Sequence, residues 1–199
     1  MAPLSSPTPF AEQTVFGRLN YTESVSGDLP IILTAPHGGT ERPADIPDRT
    51  YGSTLADANT EDVLRQLSAA LVEKSGRRPH RVICHLHRIK LDANREIVEA
   101  AQGSPIAEQA WSEYHGFIEE AKRRLLATSS SGLLIDLHGH AHAAPRLELG
   151  YLLTDAELNL SDATLSQPTY AGRTSIRSIA ARTSAPFVDL LRGPASLGA

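Results

Sequence analysis

The sequence has little of the residues that staple, anchor or electrostatically steer a protein. There is one cysteine, Cys84, so an intrachain disulfide is excluded. It sits in the apolar run Val82-Ile83-Cys84 and reads as a small buried hydrophobe rather than a ligand. No apolar run approaches the ~18 residues of a membrane-spanning helix. Positive charge is not in excess. Nineteen Lys and Arg stand against 23 Asp and Glu, for a net charge of −4, so a basic nucleic-acid-binding face is not expected. The first residues, Met1-Ala2-Pro3-Leu4-Ser5, carry neither the basic nor the apolar region of a signal peptide. Together these absences predict a cytoplasmic protein that engages neither membrane nor nucleic acid.

What is present is ordinary globular composition. Of 199 residues, 41% are apolar and 21% charged, enough for one domain with a buried core. Residues 1–14 read as a disordered leader and 15–199 as a single α/β domain. The last residues, from Arg192-Gly193-Pro194 onward, resemble the start of a helix, with Pro in its first turn. From this we expect the C-terminal part of the domain to be missing. A downstream segment or second chain would then complete it.

Three short apolar runs predict buried strands, namely Ile31 to Ala35, Arg81 to Leu86 and Leu133 to Leu137. Two amphipathic helices separate them. The first runs from about Thr60 to Lys74, with Val63, Leu64, Leu67, Ala70 and Leu71 on one stripe and Gly76 as its stop. The second runs from about Pro105 to Ala127. Ser104 is its N-cap, Pro105 its first residue and Glu108 lies in its first turn. Trp111 and Tyr114 fall on its core face. Strand–helix alternation predicts a mostly parallel central sheet flanked by helices. Further along, Glu148 to Thr154 reads as a strand, Ser175 to Arg182 as a helix and Phe187 to Leu191 as a strand.

Ligands of open α/β sheets bind beyond the carboxyl ends of the strands. All three predicted strands run into chemistry-bearing residues there. After the first comes His37-Gly38-Gly39-Thr40-Glu41. The paired glycines let the backbone fold so that His37 and Glu41 reach one ion, and both are good zinc ligands. After the third comes Asp136-Leu137-His138-Gly139-His140-Ala141-His142, with three histidines in five residues. His138, nearest the strand, is the expected ligand. Asp136 is a candidate for orienting a metal-bound imidazole. After the second, Arg88, Lys90 and Arg95 put three cations in eight residues, with Asn94 among them. In an acidic protein such a cluster suggests a small anionic substrate, since arginine clamps carboxylates through paired hydrogen bonds.

The order of these motifs resembles the N-formylglutamate amidohydrolase family. It runs Pro36-His37-Gly38-Gly39, Lys90-Leu91-Asp92-Ala93-Asn94-Arg95-Glu96, Asp136-Leu137-His138-Gly139-His140, then Glu148-Leu149-Gly150-Tyr151. The resemblance covers about Gly27 to Ala199. The Asp-Ala-Asn-Arg and Asp-Leu-His elements are also similar to those of the zinc carboxypeptidases, and the resemblance implies that phosphorylase/hydrolase-like fold. It further implies one zinc or other divalent ion per chain, held by His37, Glu41 and His138, with Asn94 and Arg95 on the substrate carboxylate. Carboxypeptidases space their first ligand pair as His-x-x-Glu, one residue closer than here, so Asp57 competes with Glu41 as the acidic ligand. The resembled families place a glutamate general base late in the chain, and Glu148 is the in-chain candidate. The implied activity is metal-dependent hydrolysis of an amide in an N-formyl or N-acyl amino acid. A carboxypeptidase-like peptidase and an inactive carboxylate- or metal-binding module are the alternatives. A serine mechanism is disfavoured, because no Gly-x-Ser-x-Gly turn occurs.

Overall fold

A computed structural model describes residues 13–143 and 147–192. The chain divides into two compact units between Ala141 and His142. The first holds β1 (Thr14–Phe16), β2 (Thr22–Val25), β3 (Ile31–Ala35), α1 (Thr60–Ser75), β4 (His80–Cys84), α2 (Ile97–Ala101), α3 (Pro105–Thr128) and β5 (Leu133–Asp136). The strands form one sheet in the order β1-β2-β4-β3-β5.

The α/β class is as expected, but the sheet is mixed rather than mostly parallel. β3 pairs in parallel with β4 and β5, while β1–β2 and β2–β4 are antiparallel. The parallel trio was visible because its strands are apolar, but β5, expected to be buried, lies at the sheet edge with Leu133 and Leu134 exposed. β2 reads Thr-Glu-Ser-Val, with only one strongly apolar residue, and β1 is three exposed residues. An antiparallel addition of this kind gives no hydrophobic run to detect.

Alternation along β4 sets the layers. Val82 and Cys84 face one cluster, with Ala107, Ala110 and Tyr114 of α3, and Ile83 faces the other, with Leu64 of α1. The two long helices therefore cover opposite faces. Leu33, Leu64 and Ile83 are fully buried, each worth ~1.5–3 kcal/mol of apolar burial. Both helices end where the sequence says. Gly76 adopts φ 67° and closes α1 by donating to the Val72 carbonyl, and Ser104 caps α3 by accepting from the Ala107 N–H. Cys84 is buried, and burial pushes its thiol up to about 12.

The second unit holds α4 (Asp155–Leu158), α5 (Asp162–Leu165), α6 (Pro168–Ala171), α7 (Arg177–Ala180) and α8 (Phe187–Arg192). Here the expected elements change. Glu148 to Thr154 is irregular rather than a strand: Leu149 and Leu152 are exposed, and Thr154 caps α4 in a reciprocal box with Glu157. The helix expected over 175–182 shrinks to one turn. Phe187 to Leu191 is helical, not extended; Asp189 donates to the carbonyl of Pro186 at the start of the turn. A short apolar run does not by itself distinguish strand from helix. The leader as far as residue 12, and the turn and helix start read after Arg192, lie outside the described residues. Among the described residues no helix is long and apolar enough to cross a membrane.

Candidate metal centre

The carboxyl ends of β3, β4 and β5 lie side by side, because β3 sits between its two parallel partners. The first turn beyond β3 depends on its glycines. A Cβ on Gly39 would collide with the His85 backbone, and one on Gly38 would lie 2.5 Å from Thr60 Oγ1. Only this close approach lets the chain lead from β3 into the crossover. The Glu41 N–H then donates to the His85 carbonyl (3.0 Å) and the His87 N–H to the Glu41 carbonyl (2.8 Å). Glu41 thus serves as a rung beside β4, with an exposed side chain.

The acidic group that meets the histidines belongs to Asp57. Its N–H donates to the His37 carbonyl (2.9 Å), tying the end of the crossover loop to the strand end. Asp57 Oδ2 lies 3.4 Å from His37 Nδ1 and 3.1 Å from His138 Nδ1, and the two Nδ1 atoms are 3.2 Å apart. Of the two acidic candidates, the structure brings Asp57, not Glu41, to His37 and His138. A tetrahedral ion with bonds of about 2.0–2.1 Å holds its ligand atoms about 3.3 Å apart, which matches this triangle.

The far nitrogens of both rings are committed. His37 Nε2 is 2.6 Å from Asp92 Oδ1, and His138 Nε2 is 2.9 Å from Asp136 Oδ2. A carboxylate at Nε2 favours the tautomer with the proton on that nitrogen, the form whose Nδ1 lone pair can serve an ion. Two imidazole nitrogens and one carboxylate oxygen thus converge on one point. The donor set of two imidazoles and one carboxylate suits zinc and other first-row divalent ions.

Electrostatics reinforce the arrangement. Burial acts to raise the Asp92 carboxyl, but the hydrogen bonds and charges of His37 and Arg88 outweigh it and hold it below the ordinary carboxylate range. The hydrogen bond to Asp136 raises His138, against partial burial. Asp136 is itself held by Thr34 Oγ1, which donates to Oδ1 at 2.6 Å. Asn94 Nδ2 donates to Asp136 Oδ2 (3.3 Å) and lies 3.0 Å from His138 Nε2, so Asn94 braces this pair.

The expected cationic clamp separates into three different roles. Arg88 Nε donates to Asp92 Oδ2 at 2.8 Å, and its Nη1 stands 3.6 Å from Asp57 Oδ1. Lys90 turns away, donating to the Ile46 carbonyl (2.6 Å) and pairing with Asp48 (2.7 Å). Arg95 is half-exposed, donating to the Asn94 carbonyl and facing Glu99 at 3.5 Å. Trp111, packed on the core, also donates its indole N–H to the Arg95 carbonyl (2.9 Å), and His115 Nε2 lies 3.0 Å from the Ala93 carbonyl. α3 thereby fixes the Asp92–Arg95 turn. Glu148 lies in the second unit, with Oε1 2.6 Å from His142 Nδ1.

Two participants escaped the sequence reading. Asp92 stood inside a motif noted for its Asn and Arg, and an Asp two residues before such a pair was the available signal. Arg49 is buried and donates to the carbonyls of Ser53 (2.7 Å), Arg88 (2.9 Å) and Glu99 (3.2 Å). Nothing in its local sequence marks it, because its partners are backbone carbonyls, two of them, Arg88 and Glu99, distant in the chain.

No family model, curated protein or solved structure matches this chain.

Proposed function

We propose that the chain is a metal-dependent amidohydrolase acting on a small carboxylate-bearing N-formyl or N-acyl amino acid, in the manner of the N-formylglutamate amidohydrolase family that its motifs resemble. One observation carries the reading: the two Nδ1 atoms and the Asp57 oxygen form a triangle of 3.1–3.4 Å, with both Nε2 atoms tied to carboxylates. His37, Asp57 and His138 would hold the ion. A divalent ion such as zinc supplies Lewis acidity to the amide carbonyl and a water nucleophile near neutral pH.

The chain's own groups do the rest. Asp92 and Asp136 hold the imidazole protons at Nε2. The triangle is buried on the His37 side, and the His138 side chain is 38% exposed, which gives a small substrate a way in. Arg95, held among the described residues by a neighbouring carbonyl and Glu99, could swing onto a substrate carboxylate and orient the amide. A general base is still needed to take the water's proton and pass it to the leaving nitrogen, and Glu148, paired with His142 in the second unit, is the in-chain candidate from the resemblance.

The test is metal analysis of the purified protein together with assays on N-formyl and N-acetyl derivatives of acidic amino acids. About one divalent ion per chain and release of formate or acetate are expected. Release of C-terminal residues from peptides instead would assign peptidase chemistry. Bound metal without any hydrolysis would leave a binding module. Glu148→Gln should lower kcat by ~10²–10⁴-fold if Glu148 is the base, and leave it unchanged if Glu148 only holds His142.

A further inference from the structure

Arg88 reads from sequence as a substrate clamp, but its surroundings give it a different task. Its side chain is 11% exposed and stands between two carboxylates of the metal centre. Nε donates to Asp92 Oδ2, while Asp92 Oδ1 takes His37 Nε2 and the Asn94 N–H (3.1 Å). Nη1 stands 3.6 Å from Asp57 Oδ1, the oxygen turned away from the histidines. The backbone of Arg88 is fixed in turn, because Arg49 Nη1 donates to its carbonyl, and the same Arg49 atom lies 3.9 Å from Asp92 Oδ2.

We infer that Arg88 is a positioning residue, seated on Arg49, that holds Asp57 as a one-oxygen ligand and Asp92 as the partner of His37. The inference rests on the metal-centre reading above. Three carboxylates, Asp57, Asp92 and Asp136, surround the two histidines. Without counter-charge they would repel one another whenever the ion is absent. Arg88 and Arg49 supply two fixed positive charges on the buried side. By pairing with Asp57 Oδ1 across 3.6 Å, Arg88 favours Oδ2 as the oxygen presented to the triangle. By engaging Asp92 Oδ2, it leaves only Oδ1 for the imidazole. The centre is therefore built before metal arrives. Lysine at 88 keeps the charge but cannot serve two carboxylates from one planar group.

Two measurements test this, and the first needs no metal. In chelator-treated protein, denaturant unfolding of Arg88→Gln, Asp57→Asn and the double variant forms a cycle. The cost of Arg88→Gln should shrink once Asp57 is Asn; strict additivity would overturn the link between them. The second is cobalt(II) titration followed by visible absorption, which reports ligand geometry. Both Arg88→Gln and Arg88→Lys should alter the spectrum and weaken binding by ~10–100-fold, the scale of losing a partner behind a metal ligand. A wild-type spectrum and affinity in either variant, with only KM raised, would make Arg88 a substrate clamp and sink the inference. If the wild-type protein takes up no cobalt, the proposed function falls while the unfolding cycle still decides the role of Arg88.

Discussion

His37 and His138 carry the same chemistry in opposite surroundings. Each turns Nδ1 inward and rests Nε2 on an aspartate. Yet the His37 side chain is 1% exposed and its Asp92 fully buried, whereas His138 and Asp136 are 38% and 32% exposed. Asp92 is gripped by His37, Arg88 and the Asn94 N–H, while Asp136 relies on Thr34, Asn94 and His138. The difference teaches where rigidity is placed. The buried half fixes the direction of one ligand through a low-dielectric network, in which each charge is strongly felt. The exposed half completes the triangle at the surface, the side from which the proposed substrate would enter.

The largest effect expected from this asymmetry is complete loss of metal. His37→Ala and His138→Ala should each abolish stoichiometric ion, measured by elemental analysis after gel filtration. They should differ in stability. His37→Ala leaves Asp92 buried with one partner fewer, a change of the kind that costs ~1–3 kcal/mol or more, and should lower the melting temperature. The two are compared in chelator-treated protein, so that loss of the ion does not itself shift melting; there His138→Ala removes a half-exposed ring and should leave melting nearly unchanged. Equal melting losses would show that the buried and exposed halves are not energetically distinct.

The sequence exposed this centre unevenly, for reasons that lie in the residues. β3, β4 and β5 were legible because they are short apolar runs, and each broke into histidine or charge at its end. α1 and α3 were legible from their stripes and caps. β2 was not, since Thr22, Glu23 and Ser24 give no apolar signal. Asp57 was only an alternative, because it lies twenty positions beyond His37 across an irregular crossover and no spacing rule spans such a loop. Lys90 and Arg88 look alike in sequence beside Arg95. Only packing separates one drawn towards Asp48, one set between carboxylates and one half-exposed. In the second unit the single-turn helices leave no periodicity to detect.

The next effect in size compares the two aspartates. Replacing the partner behind a metal-bound imidazole typically weakens metal affinity by ~10–100-fold. Asp92→Asn should fall at the upper end and also destabilise the fold, because it disturbs Arg88 and Arg49 at a buried site. Asp136→Asn should fall at the lower end, with solvent replacing part of the lost bond. Zinc titration against a competing chelator gives both constants. The reverse order would locate the rigid half at β5.

Arg95 probes the exposed side alone. Arg95→Ala should leave metal content and melting intact and lower kcat/KM by ~10-fold or more, the scale of one charge-assisted hydrogen bond. Arg95→Lys should restore only part of it. Because the single Trp111 donates to the Arg95 carbonyl, its fluorescence should report carboxylate binding in the wild type. Unchanged kinetics on every substrate turned over would reduce Arg95 to a surface partner of Glu99.

The effect furthest from the metal centre comes from a third histidine, which shows what a structural imidazole looks like beside the two proposed ligands. His85 follows β4 directly, but both of its nitrogens face carboxylates. Nδ1 is 3.2 Å from Glu61 and Nε2 3.4 Å from Glu23, so no lone pair is left for an ion. The Glu23 and Glu61 hydrogen bonds raise His85 to about 9, against partial burial. His85, with Arg65, lowers Glu23 to about 2. The sign of the pH dependence follows. A histidine whose folded pKa lies above its unfolded value of 6.5 stabilises fully below pH 6.5 and loses that contribution as pH rises towards about 9. Glu23, depressed below 4.5, contributes fully above that pH and loses its share as pH falls towards about 2. Both contributions are therefore complete between about pH 4.5 and 6.5. His85→Gln should cost ~1.5–3 kcal/mol at pH 6, the range for hydrogen bonds to charged groups, and much less at pH 9.5. Urea unfolding of the wild type and variant at the two pH values measures this, with metal content monitored in parallel. A loss independent of pH would mean that His85 acts by packing alone. A loss of metal would mean that it belongs with His37 and His138 after all.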